Sequence, residues 1–349
     1  MVHHPLRLRL DGGALVSNWR WLREQGGSAA CGAAVKADGY GLGAREVVKR
    51  LAAAGCRDFF VSTYAEAEAL MPWDEGLNLS VLHGVGADDL AAALASPARP
   101  VLNTLQQVAR WREHGQGRPC DVMVDTGINR LGLRPEEARS GILSGLNLQV
   151  LMSHLACADE PGHPMNREQL ALFSGLQQEI EARHYSLANS AGVCLGTDYA
   201  FDLTRPGLAL YGGLPVRGDT GQALGISPVA ALEAQIIQLR TLPAGESIGY
   251  GATFTAPEDM AVAVLNIGYA DGYLRQLARR GFAGAGGERL PILGRISMDL
   301  IAVAAAPDTA EGDWLTMDFN LPQLAGEDGT LSQYELLTGL GSRYERIWS

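Results

Sequence analysis

At 349 residues, with 47% hydrophobic and 19% charged residues, the chain can bury a sizeable core, which excludes intrinsic disorder. The formal net charge of −11 is spread along the chain, which argues against a nucleic-acid groove or an anionic membrane surface as partner. The five cysteines are dispersed and form no CxxC pair, so neither a metal site nor a disulfide framework is expected, and reduced thiols in a cytoplasm are.

The N-terminus, MVHHPLRLRLDGGAL, lacks the apolar run of a secretory signal, and no stretch approaches the roughly 20 apolar residues of a membrane span. From Leu15 to Val216, short apolar runs alternate with amphipathic segments. The runs are Cys31–Val35, Phe59–Ser62, Leu77–Leu82, Val101–Asn103, Asp121–Asp125, Val150–His154, Tyr185–Ala188 and Leu208–Gly212. The helical patterns between them include Ala44–Ala54, Tyr64–Met71, Leu105–His114, Pro135–Leu143 and Asn166–Arg183. Strands buried on both faces read as continuous apolar runs, so this alternation predicts an α/β fold with a parallel (β/α)8 barrel, and an open doubly wound sheet would give a similar pattern.

The segment Arg217–Gly225 reads as a linker. Beyond it come strand-like stretches at Val229–Leu239, Ser247–Phe254, Ala261–Ile267, Leu290–Val303 and Asp313–Asp318, with little helix before Ser332–Leu340. Ser332 and Glu335 have the spacing of a capping box for that last helix, with Thr330 competing for the cap. The expected organisation is a barrel over residues 10–222 and a mostly β domain over 223–349, with residues 1–9 a candidate strand of the latter.

Lys36 closes the first apolar run and precedes a glycine-punctuated turn. A lysine at a barrel strand's C-terminal end, partly desolvated, loses proton affinity and offers a neutral amine for Schiff-base chemistry. Taken alone, the commoner reading of such a position is a surface lysine at a loop entry. Tyr250 between glycines, Arg205 in an Arg-Pro-Gly turn and Arg130 in a loop likewise have ordinary structural readings.

Eight segments in chain order change that weighting. Ala33–Gly43 (AAVKADGYGLG) resembles the cofactor-lysine signature of the alanine racemase family. Asp125–Gly132, Ser153-His154, Ala188–Ala191, Arg205–Gly212, Gly249–Ala252, Gly268–Gly272 and Gly294–Asp299 resemble further blocks of that family. The resemblance spans nearly the whole chain and implies a pyridoxal 5′-phosphate enzyme built on a barrel and a β domain.

The resemblance also implies roles. Lys36 would carry the cofactor and act as base on the D-face, and Tyr250 would be the base on the L-face. Tyr250 would be assisted by His154, linked onward to Arg205. Arg205 would partner the pyridine nitrogen, and since it keeps its own proton it would weaken the ring as electron sink and disfavour transamination. Tyr40, Ser190, Gly207, Leu208 and Tyr334 would hold the phosphate, with Asn189 beside them. Arg130 and the Met298 backbone would meet the substrate carboxylate, Tyr269 would restrict the entrance, and Asp299 would support that block.

In the family these groups meet between subunits, so a head-to-tail homodimer is implied. Two departures stand out. Met123 occupies a position where many members carry a carbamylated lysine that steadies the arginine, and Leu42 replaces a peripheral histidine of the first motif. The expected activity is racemisation of L- and D-alanine for cell-wall synthesis. The competing readings are a serine or broad-specificity racemase, a non-catalytic pyridoxal-phosphate binder, which would lack the β domain and Tyr250, and a decarboxylase on the related barrel, which the Gly-Tyr-Gly and Ser-Met-Asp blocks fit poorly.

Overall fold

The computed structural model describes residues 3–218, 225–326 and 330–349. The expected boundary at 222/223 and most of the linker lie outside the described residues. Two compact units form, one from Leu15–Ser227 and the other from Met1–Ala14 with Pro228–Ser349.

In the first unit, seven parallel strands run in spatial order Ala33–Ala34, Asp58–Val61, Asn78–Val81, Arg99–Leu102, Pro119–Met123, Asn147–Met152 and His184–Ser186. An eighth, Leu203–Thr204, pairs in parallel with Ala30–Cys31. Ala34 N–H donates to Pro206 O at 2.9 Å on one side of it, and Arg205 N–H donates to Ala188 O at 2.8 Å on the other. These bonds close the ring into a (β/α)8 barrel. Its interior is filled by Phe60, Val101, Met123, Val150, Met152 and Leu203, all nearly inaccessible to water.

The apolar run expected as the eighth strand, Leu208–Gly212, is instead a 3-10 turn over Leu208–Tyr211. Its four residues are 0–4% exposed, and a fully buried turn shows the same unbroken apolar run as a fully buried strand. Helices Ala44–Ala54 and Leu105–His114 match their amphipathic patterns, whereas the pattern over Asn166–Arg183 forms a helix at Pro164–Glu179.

The second unit is an eight-stranded, mostly antiparallel sheet. Its longest strand, Ala230–Leu242, pairs with Leu6–Leu10, Met260–Leu265 and Trp314–Met317. The LRLRL alternation of Leu6–Leu10 buries all three leucines to 1% exposure or less. Glu345–Trp348 adds in parallel to this N-terminal strand, and Phe282–Ala285 pairs with Glu288–Pro291.

Two stretches expected as continuous strands are broken. Ser247–Ile248 and Phe254–Thr255 form a hairpin around a 3-10 turn at Tyr250–Ala252, because Gly249 (φ 80°) and Gly251 (φ 76°) leave the extended region. Leu290–Val303 divides into Glu288–Pro291 and Ile301–Ala304, with the Gly294–Leu300 loop between. The last helix forms at Gln333–Thr338 with the Ser332/Glu335 capping box intact. Among the described residues, no helix is long and apolar enough to cross a membrane.

Candidate active site

Lys36 follows the Ala33–Ala34 strand and is half-buried at its C-terminal end. Burial, and then the nearby Arg130 guanidinium, lower its proton affinity; Glu66 opposes this and Arg205 adds to it. Behind it the chain takes a left-handed course: Ala37, Asp38, Gly39 and Tyr40 have φ of 53°, 50°, 63° and 56°. Left-handed backbone costs an L-residue about 1–2 kcal/mol, so three non-glycine residues in that region must be held by their surroundings.

The run ends at Tyr40, which is buried and stacked on Tyr211 with ring centroids 4.6 Å apart. The Tyr211 hydroxyl donates to Ala34 O at 2.8 Å. Tyr40 in turn lies against Gly207, where an added Cβ would come within 2.2 Å of the Tyr40 hydroxyl oxygen. Gly207 N–H and Ala209 N–H both donate to Ser190 Oγ, at 2.9 and 3.2 Å. Leu208 opens the 3-10 turn, so its N–H has no partner within the turn. Tyr40, Ser190, Gly207 and Leu208 are thereby gathered at one place.

Arg205 leaves the eighth strand and is 7% exposed. Its guanidinium donates to Ser186 Oγ and to the Ser153 carbonyl. Burial pulls its proton affinity down to about 10, against the pull of Asp121, so it stays charged at neutral pH. His154 does not hydrogen-bond to it. The imidazole Nε2 pairs with Asn189 Nδ2 at 3.4 Å, while burial and the charges of Arg205, Arg130 and Lys36 push its pKa down to about 3. Asn189 also caps the Ser190–Val193 helix by accepting from Gly192 N–H.

Asp125 shapes the loop that carries Arg130. Its carboxylate accepts from the N–H groups of Gly127 (2.8 Å), Asn129 (3.0 Å) and Arg130 (2.8 Å). The Arg130 side chain is exposed and has no hydrogen-bond or ion-pair partner among the described residues. Met123, in place of the family's lysine, points into the barrel's apolar cluster. Leu42 is fully buried.

The remaining candidates belong to the β unit. Tyr250 is 72% exposed, Met298 52% and Tyr334 46%. Tyr269 and Met298 are brought together by the backbone: Tyr269 N–H donates to Ser297 O and Ala270 N–H to Met298 O, each at 3.0 Å. The Arg275 guanidinium lies 4.6 Å from the centre of the Tyr269 ring. Asp299 accepts from Arg343 Nη1 at 2.7 Å, and the same arginine grips the buried Asp271 through Nε (2.6 Å) and Nη2 (2.9 Å).

Several of these residues escape a reading of the sequence. Nothing marks Arg343 or Asp271 as partners across 72 residues of chain. Gln169, which donates to Thr126 and to the His154 carbonyl, looks like any helix glutamine. Glu66 has a weak signal, the Thr63-x-x-Glu66 spacing of a capping box.

The family model described as alanine racemase, N-terminal domain, matches residues 10–215, and the one for the C-terminal domain matches residues 229–348. The chain belongs to the alanine racemase family. A catabolic alanine racemase of Agrobacterium fabrum is 41% identical over 98% of this chain and 91% of its own length. An alanine racemase of Methylobacterium nodulans is 41% identical over 98% and 96%. Among solved structures, an alanine racemase of Bartonella henselae with covalently bound pyridoxal phosphate superposes with a TM-score of 0.89 at 34% identity, covering 99% of this chain and all of that one. The chain is thus an enzyme of this family, on the barrel-plus-β architecture its sequence predicts.

Proposed function

We propose that this enzyme interconverts L- and D-alanine with pyridoxal 5′-phosphate carried on Lys36. The observation behind the reading is the state of Lys36: a half-buried amine at a barrel strand's C-terminal end, its proton affinity lowered by burial and two arginines. The residues gathered near it suit a phosphate, since Gly207 N–H and Ser190 Oγ meet beside the Tyr40 hydroxyl, which a Cβ at 207 would displace. Tyr40, Ser190, Gly207 and Leu208 would hold the phosphate, with Asn189 and His154 beside the ring and Arg205 at its nitrogen.

When bound, pyridoxal phosphate supplies the electron sink that makes the α-proton of an amino acid labile. In this reading Lys36 Nζ takes and returns that proton on one face and the Tyr250 hydroxyl on the other. Arg205, with only neutral hydrogen-bond partners, keeps its charge and gives no proton. Arg130, whose fork of donors is unpartnered, would receive the substrate carboxylate beside the Met298 backbone. Tyr269 would narrow the entrance, with Asp299 supporting it through Arg343.

Tyr250 and Met298 are too exposed in one copy to exclude water, which supports a homodimer whose partner covers them. The expected setting is a cytoplasmic enzyme supplying D-alanine for cell-wall synthesis. Relatives named catabolic and biosynthetic are equally close, at 41% and 40% identity, so a catabolic role stands beside it. Growth of a deletion strain only with added D-alanine would favour the first.

The deciding experiment is chiral product analysis of the purified protein fed L-alanine and L-serine separately, with a Lys36→Ala control. D-alanine from the wild type alone is the expected result. A faster D-serine yield would favour the serine reading, which Met123 keeps open. Turnover by Lys36→Ala would sink the lysine assignment, and no turnover by either protein would leave a cofactor binder.

A further inference from the structure

Thr63 and Glu66 have the spacing of a capping box, in which the glutamate turns back onto the N-cap residue's own N–H. Half of that box forms, with Thr63 Oγ1 accepting from Glu66 N–H at 3.2 Å. The carboxylate goes elsewhere. Its Oε2 accepts from Ser62 N–H at 2.6 Å, and its Oε1 accepts from Ala37 N–H, one residue past Lys36, at 2.8 Å. A local helix-capping group has become a bridge between the turns that follow the first and second barrel strands.

The bridge falls where the backbone needs holding. Within the left-handed run Ala37–Tyr40, Asp38 ties the backbone to the residues beyond it: its Oδ1 accepts from Ala44 N–H and its carbonyl accepts from Gly43 N–H, both at 2.8 Å. At its near end the first N–H of the run is held by Glu66. The run is therefore held by two carboxylates, Asp38 from within and Glu66 at the N–H that follows Lys36.

Charge adds to this. Among the ionisable groups acting on Lys36, Arg130 from the loop after the fifth strand and Arg205 after the eighth repel its proton, and His154 after the sixth is held neutral by burial and the same cations. Among the described residues, Glu66 alone acts in the opposite sense. Building on the lysine assignment above, we propose that Glu66 is a positioning residue that latches the turn after Lys36 onto the neighbouring strand and holds a counter-charge beside its amine. A lysine that must both release and recapture a proton cannot be surrounded by cations alone.

The test uses the full chain stripped of cofactor, with the rate at which an amine-selective reagent labels Lys36 followed by peptide mass against pH. Glu66→Gln keeps the size, loses the charge and presents an NH2 to one of the two N–H donors. Its labelling midpoint is expected to fall, with several-fold faster labelling at pH 7. Glu66→Asp keeps the charge but cannot span both donors, so its midpoint should fall less. Borohydride fixation of added pyridoxal phosphate at Lys36 should weaken in both. An unmoved or raised midpoint in whichever variant folds would overturn the proposal. Because labelling needs no cofactor, it reads Glu66 separately: failure of borohydride fixation in the wild type would overturn the functional reading instead.

Discussion

His154 Nε2 and Asn189 Nδ2 face each other at 3.4 Å, and since the amide nitrogen can only donate, the imidazole nitrogen must accept. The ring proton is thereby assigned to Nδ1, and the ring is neutral. This agrees with the surrounding cations, which together with burial hold the His154 pKa near 3.

The folded chain therefore declines a proton that the unfolded histidine binds below its ordinary value of 6.5. The stability linked to this group is fully present above pH 6.5 and is lost as pH falls towards about 3. The His154 ring signals in an NMR titration should stay flat from pH 8 to about 5. A midpoint near the ordinary histidine value would contradict the arrangement.

Gly207 is the position least able to accept a side chain near the proposed phosphate site. Gly207→Ala would place a methyl 2.2 Å from the Tyr40 hydroxyl oxygen and push that ring off Tyr211. The expected cost is about 1–3 kcal/mol of folding stability from overpacking. Cofactor retention should fall about tenfold or more through the loss of a hydrogen bond to a charged group. Equilibrium dialysis with pyridoxal phosphate, beside a thermal melt, separates the two effects.

Met123 lies among Phe60, Val101, Val150, Met152 and Leu203, a dry setting for a charge. Met123→Leu should cost under about 1.5 kcal/mol. Met123→Lys, which restores the family's residue, should lose several kcal/mol because an ammonium enters an apolar cluster, and bicarbonate should recover part of it only where the carbamate anion it forms pairs with the Arg130 guanidinium. Denaturant unfolding with and without bicarbonate makes the comparison. A lysine variant as stable as wild type in bicarbonate-free buffer would show that the cluster is wet.

Among the described residues, Arg343 is the one cation paired with the 1%-exposed Asp271, and it also holds Asp299. Arg343→Ala should destabilise the chain by about 2–3 kcal/mol by stranding a buried carboxylate. Asp299→Ala, removing half of an ion pair whose side chains are 47% and 49% exposed, should cost less than about 1 kcal/mol. Equal losses in urea unfolding would disprove the ranking.

The order of elements along the barrel was legible because each strand buried on both faces is an apolar run, and each covering helix repeats at the helical period. The lysine, the arginines and the glycine turns could be named because they recur in family order. Where burial is complete the pattern stops discriminating. Leu208–Tyr211 turned out to be a 3-10 turn, and the true eighth strand, Leu203–Thr204, is only two residues long. The strands Phe282–Ala285 and Glu345–Trp348 were also missed, being short and weakly apolar.

What chain order could specify was family, architecture and the candidates for reactive side chains, since these depend on residue type and spacing. Three-dimensional packing alone decided which partners those side chains meet. Asn189 rather than Arg205 bonds to His154, Glu66 bridges to Ala37 instead of closing its own cap, and Arg343 crosses 72 residues to reach Asp271. A hydrogen bond is fixed by direction and by distance to within a few tenths of an ångström, and linear spacing carries neither across a closed barrel.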